Sequence, residues 1–113
     1  MTKKHVGNNA KITCYLLANC PFCEIASQKL NALYESGKIT NIELVYFAYQ
    51  ETAHSLILSN NYSIPYSTMQ NDSLFFKLAG NRFPCVQYQS ENQIITWAGN
   101  NVNFACLDFL MKQ

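Results

Sequence analysis

The 113-residue chain reads as one α/β domain, a mixed four-stranded sheet flanked by helices in the order β-α-β-α-β-β-α. Three observations predict this. The run Ile12-Thr13-Cys14-Tyr15-Leu16-Leu17 is apolar on both faces and leads at once into a helical pattern opening at Pro21. A second strand pattern, Ile42-Glu43-Leu44-Val45-Tyr46-Phe47-Ala48, follows that helix, which makes a βαβ unit with parallel neighbouring strands. After Pro84 two short strand patterns stand on either side of a turn at Ser90-Glu91-Asn92, which is a hairpin.

Taken in order, residues 1–10 are expected to be a flexible tail and residues 11–113 the folded domain. Pro21 suits the first helical position, where its missing N–H would have had no partner. Ala26, Leu30, Leu33 and Tyr34 recur at helical spacing, and Gly37 supplies a C-terminal cap. Residues 49–71 read as an insertion. Ala53, Leu56, Ile57 and Tyr62 suggest a weakly amphipathic helix, and Ser63-Ile64-Pro65 a loop. Tyr66-Ser67-Thr68-Met69-Gln70 is a poor candidate for a buried strand. A short helix is predicted from an N-cap at Asn71 or Asp72 through Leu78, ending at Gly80. The hairpin pairs Cys85-Val86-Gln87-Tyr88-Gln89 with Gln93–Ala98. Gly99-Asn100-Asn101 then closes the second strand and caps a final helix with apolar positions Val102, Ala105, Cys106, Phe109 and Leu110.

Composition excludes several classes of function. Eight basic and seven acidic residues give a net charge of +1, with no clustered Lys and Arg of the kind that phosphate backbones require, so no nucleic-acid partner is expected. No segment approaches the roughly 18 apolar residues of a membrane span, and Lys3-Lys4 lead into Val6-Gly7-Asn8-Asn9, not into a signal-peptide core. The expectation is a cytoplasmic monomer without a membrane partner. Five cysteines leave an odd thiol, which fits one reactive pair plus buried single thiols in a reducing compartment.

The chemistry centres on Asn19-Cys20-Pro21-Phe22-Cys23. A Cys-x-x-Cys that follows a strand and opens a helix is a thioredoxin-like redox motif. Unpartnered N–H groups at a helix start carry partial positive charge and stabilise a thiolate, the species that attacks disulfides. Cys20 is the expected nucleophile, and Cys23, one turn in, the resolving thiol. A structural zinc site competes, but zinc takes about four ligands, and Cys85, Cys106, His5 and His54 form no second close pair. No metal or tightly bound cofactor is therefore expected. Pro84, directly before a strand, resembles the proline with which thioredoxin-like proteins place a cis peptide beside the cysteines, the alternative being a trans proline that opens an edge strand. Pro65 competes for that role, but choosing it leaves the 85–98 hairpin without a place. Cys14 and Cys106 read as buried small hydrophobes. Cys85, next to Pro84, reads as packing, with a part in thiol exchange as the alternative.

These residues resemble the dithiol glutaredoxins. Cys20-Pro21-Phe22-Cys23 is similar to their active site, Leu78-Ala79-Gly80-Asn81-Arg82-Phe83-Pro84 to their Thr-Gly-x-Arg…Thr-Val-Pro stretch, and Ala98-Gly99-Asn100-Asn101 to their Gly-Gly segment. The resemblance implies a thioredoxin-like fold and reduction of protein or glutathione mixed disulfides, with glutathione as co-substrate and disulfide-containing or glutathionylated proteins as partners. It further implies that Pro21 and Phe22 border the bound glutathione and that the Phe83 backbone, ahead of Pro84, pairs with its cysteinyl part. Gly99, Asn100 and Asn101 would meet the γ-glutamyl carboxylate, and Arg82 the glycyl carboxylate. Leu17, Ala18 and Asn19 stand where the family carries a lysine or threonine, and Phe83 where it carries valine. Two alternatives accompany this expectation: a non-catalytic binding module (an iron–sulfur or adaptor role), and a protein-disulfide reductase that does not use glutathione.

Overall fold

In a computed structural model, which describes residues 10–113, the sheet has five strands, one more than expected. They are β1 (Lys11–Leu17), β2 (Ile42–Phe47), β3 (Tyr66–Met69), β4 (Cys85–Gln89) and β5 (Ile94–Ala98), in the spatial order β3-β2-β1-β4-β5. The helices are α1 (Pro21–Glu35), α2 (Gln50–Ser59), α3 (Asp72–Ala79) and α4 (Ala105–Met111). Strand β1 lies at the centre, parallel to β2 and antiparallel to β4, which pairs antiparallel with β5. The expected tail lies outside the described residues except for Ala10, which is buried in the core.

The fifth strand corrects the reading of 49–71 as an insertion. Leu44, Val45, Tyr46 and Phe47 of β2 pair in parallel with Tyr66, Ser67, Thr68 and Met69 of β3, and Leu44 N–H donates to Pro65 C=O at 3.0 Å. Residues 66–69 are only half-buried, as an edge strand with a single neighbour permits. A proline just ahead of an edge strand removes no ladder hydrogen bond. The segment is thus a second β-α-β crossover that extends the sheet.

Alternation along the strands sorts the core into two sides. Ile12, Cys14 and Leu16 of β1 pack with Cys23, Ala26 and Leu30 of α1, Ala53 and Ile57 of α2, and Cys106, Leu107 and Leu110 of α4. Tyr15, Val45 and Cys85 face the other way, onto Phe75 and Ala79 of α3. Three helices cover one face and one short helix covers the other.

The end of the chain also departs from expectation. Gly99–Asn103 forms a 3-10 helix, and α4 starts only after Phe104. Gly99 suits its φ of +64°, and the Arg82 guanidinium lies close over it, with Nη2 3.1 Å from where a Cβ would stand. Its N–H donates to Pro84 C=O at 2.8 Å, which ties this turn to the start of β4.

Candidate active site

Strand β1 ends at Leu17, and two turn residues later Cys20 forms the N-cap of α1. Cys20 is in extended backbone, and its Sγ accepts the Cys23 N–H at 3.2 Å. Pro21 at the first helical position lacks an N–H, so Cys23 supplies the backbone donor to the sulfur. Cys20 and Cys23 are joined as a disulfide with Cα atoms 5.1 Å apart. When it is reduced, that N–H and the positive end of α1 face the Cys20 sulfur, an arrangement that favours the thiolate. Cys20 is half-buried, whereas Cys23 is buried in the main core. Of the two residues, Cys20 is the one that solvent reaches.

The other predicted residues lie around this pair on the β4 side. The Phe83–Pro84 peptide is cis, in agreement with the choice of Pro84 over Pro65. Phe83 is half-buried, its ring stacked on Phe75 at a centroid distance of 5.4 Å. Among the described residues its backbone N–H and C=O have no hydrogen-bond partner. Pro21 and Phe22 are exposed, and the Phe22 C=O accepts Asn103 Nδ2 at 3.3 Å. Arg82 is exposed, with its guanidinium laid over Gly99. Asn100 and Asn101 are exposed on the 3-10 turn rather than on the first turn of an α-helix. Gly99, which the resemblance sets against the γ-glutamyl carboxylate, has its N–H already bonded to Pro84 C=O.

Cys85 is not brought to the pair. Its side chain lies on the α3 face of the sheet, whereas Cys23 belongs to the opposite face. The strand alternation that places Tyr15 and Cys85 opposite each other on that face also removes Cys85 from exchange. Burial pushes the Cys85, Cys14 and Cys106 thiols up, Cys106 from 9.0 to about 12, so all three stay neutral and unreactive.

On the β2 side lies an opening not anticipated from sequence. A groove of about 440 Å³ runs beside the pair, lined by Leu17, Asn19, Cys20, Cys23 and Glu24, by Ser27 of α1, Tyr46 of β2, and Leu56 and Asn60 at the end of α2. Ser27 also belongs to a polar seam on α1. Ser27 Oγ donates to Glu24 C=O at 3.0 Å, which uses its single proton, so the 2.8 Å contact with Tyr62 has the tyrosine as donor. One turn on, Asn31 Oδ1 accepts Ser63 N–H and Ile64 N–H, both at 3.0 Å, and Glu35 accepts Ser63 Oγ at 2.9 Å. The signal for this seam was present as Ser27, Asn31 and Glu35 four residues apart, but the segment it binds had no predicted place.

No family model matches the chain, and no curated protein matches it. Among solved structures it is similar to a secreted disulfide oxidoreductase of Mycobacterium tuberculosis described as homologous to E. coli DsbE (TM-score 0.72, 10% identity, 96% of this chain and 84% of that one). It is also similar to a pneumococcal exposed lipoprotein thioredoxin from Streptococcus pneumoniae (TM-score 0.70, 12% identity, 96% and 87%). A third is StoA from Bacillus subtilis (TM-score 0.65, 17% identity, 84% and 76%). At these identities the likeness concerns the fold and not the glutaredoxin family in particular. The chain has the α/β thioredoxin-like fold, with a Cys-x-x-Cys pair, Cys20 and Cys23, at the start of its first described helix.

Proposed function

We propose that this protein is a thiol–disulfide oxidoreductase in which Cys20 attacks and Cys23 resolves. The observation that carries this reading is the Cys23 N–H to Cys20 Sγ contact at the start of α1, with the first sulfur accessible and the second buried one turn inside. In the reducing direction the Cys20 thiolate attacks one sulfur of a substrate disulfide, forms a mixed disulfide and expels the other sulfur as a thiolate that takes up a proton. Cys23 then loses its proton, attacks Cys20 Sγ, closes the Cys20–Cys23 disulfide and releases the second substrate thiol. Two external reducing equivalents return the pair to dithiol. The free backbone of Phe83 supports docking of an extended substrate segment beside Cys20.

Glutathione as the reductant is the finer reading. Arg82 over Gly99 supports it, as a cation without an acidic partner among the described residues where the glutaredoxin resemblance implies the glycyl carboxylate. Against it, the Gly99 N–H is already used. A reductant other than glutathione, with protein disulfides as substrates, is the second reading. A cytoplasmic setting remains an expectation from the unpaired thiols Cys14, Cys85 and Cys106, while two of the similar structures are described as secreted or exposed. No helix of the described residues is long and apolar enough to cross a membrane.

The test is reduction of a protein disulfide by the wild type and by Cys20→Ser. Supply comes either from glutathione with its reductase or from a thioredoxin reductase. Loss of at least about 10³-fold in the variant is expected, as for removal of a nucleophile. Full activity in Cys20→Ser contradicts the reading, and the reductant that sustains turnover decides between glutathione and its alternative.

A further inference from the structure

The sheet order places two unlike surfaces on either side of Cys20. Toward β4 and β5 stands Arg82, and toward β2 and α2 lies the groove beside the pair. The groove has one acidic side chain among its lining residues, Glu24 in the first turn of α1, and no Lys or Arg. Leu17, Leu56 and the buried Tyr46 ring form apolar walls, while Asn60 spends its amide Nδ2 on Leu56 C=O at 2.8 Å, leaving its Oδ1 as an acceptor. A trough whose lining combines apolar side chains with a carboxylate, an amide and a tyrosine ring suits a cation carried on an aliphatic stem. Its volume lies in the range of sites that take small ligands or long side chains. We propose that this groove is a substrate subsite for a lysine or arginine side chain next to the reacting cysteine of a protein disulfide. The proposal rests on the oxidoreductase reading and names its substrate class.

One further observation agrees: Ser27, which lines the groove, is fixed by its bonds to Glu24 C=O and Tyr62 before any substrate arrives, so a guest side chain meets a formed site. Glutathione, with two carboxylates and one ammonium, has no cationic stem to place there.

The experiment uses the reduced full chain and three peptide disulfides, identical except for Lys, Gln or Glu beside the cysteine. Each rate is divided by the rate with dithiothreitol, which removes the intrinsic reactivity of the disulfide. The Lys-to-Glu preference expected of the wild type is roughly three- to tenfold, shrinking in high salt. Glu24→Gln brings it toward one, and Glu24→Lys reverses it. Because the preference is a ratio within each variant, any change in Cys20 itself cancels, and a merely structural role for Glu24 produces no reversal. A wild-type preference equal to that of dithiothreitol overturns the subsite while reduction of the Gln peptide keeps the oxidoreductase reading. Persistence of the preference in both variants also overturns it. Failure to reduce even the Gln peptide overturns both.

Discussion

Two kinds of cysteine sit within this domain, and the difference between them is positional. Cys20 and Cys23 share the first turn of α1 at the end of a central strand, where an unpartnered N–H meets sulfur and solvent reaches the first thiol. Cys14, Cys85 and Cys106 are fully enclosed, two in the main core and one under α3. On the proposed function, the same side chain is a nucleophile in one place and a small apolar filler in the other. What separates them is desolvation set against a helix terminus, not any local sequence feature beyond the spacing of the pair.

The contrast can be broken most severely at its reactive end. Cys23→Ser is expected to cut multiple turnover of protein disulfides by about 10- to 100-fold and to leave substrate trapped on Cys20, seen as a covalent adduct by mass spectrometry. Absence of the adduct would make Cys23 a bystander. At the inert end, Cys85→Ser places a hydroxyl without a partner against Tyr15 and Phe75 and is expected to cost about 1–3 kcal/mol in urea unfolding. Its activity per folded molecule should equal the wild type, since Cys85 faces away from the pair.

A smaller effect follows from pH. The unfolded chain ionises its thiols near pH 9, while folded Cys106 holds its proton to about pH 12 and Cys14 is likewise raised by burial. The unfolded state therefore loses protons first as pH rises. The stability contributed by neutral burial is complete below about pH 9 and, for Cys106, is lost between there and about pH 12, by up to about 1.4 kcal/mol per pH unit, with Cys14 adding a loss of the same sign. Urea midpoints for the reduced protein between pH 7 and 10.5 should be flat at first and then fall, and a rise would refute the burial argument.

Much of this arrangement was legible in the chain. Pro21 and the run before it announced β1 and α1, and Pro84 ahead of the hairpin placed the second wall of the site, because both signals are local and strong. The strand Tyr66–Met69 was hidden since an edge position needs neither a buried face nor a β-branched run. Its absence hid the groove, whose walls come from four separate elements, β1, α1, β2 and α2. The fate of the Gly99 N–H was equally unreadable, because its partner Pro84 lies fifteen residues away across a turn. Periodicity reports which residues enter the core. It does not report which backbone groups remain for a ligand.

The central claim is that position, through a helix start on one side and desolvation on the other, singles out Cys20. Alkylation of the reduced, folded protein at neutral pH, mapped by mass spectrometry over time, reads this directly. The account predicts that Cys20 is modified first, Cys23 more slowly, and Cys14, Cys85 and Cys106 only after urea is added. Modification of any of those three at a rate comparable to Cys20 in the folded state would contradict it.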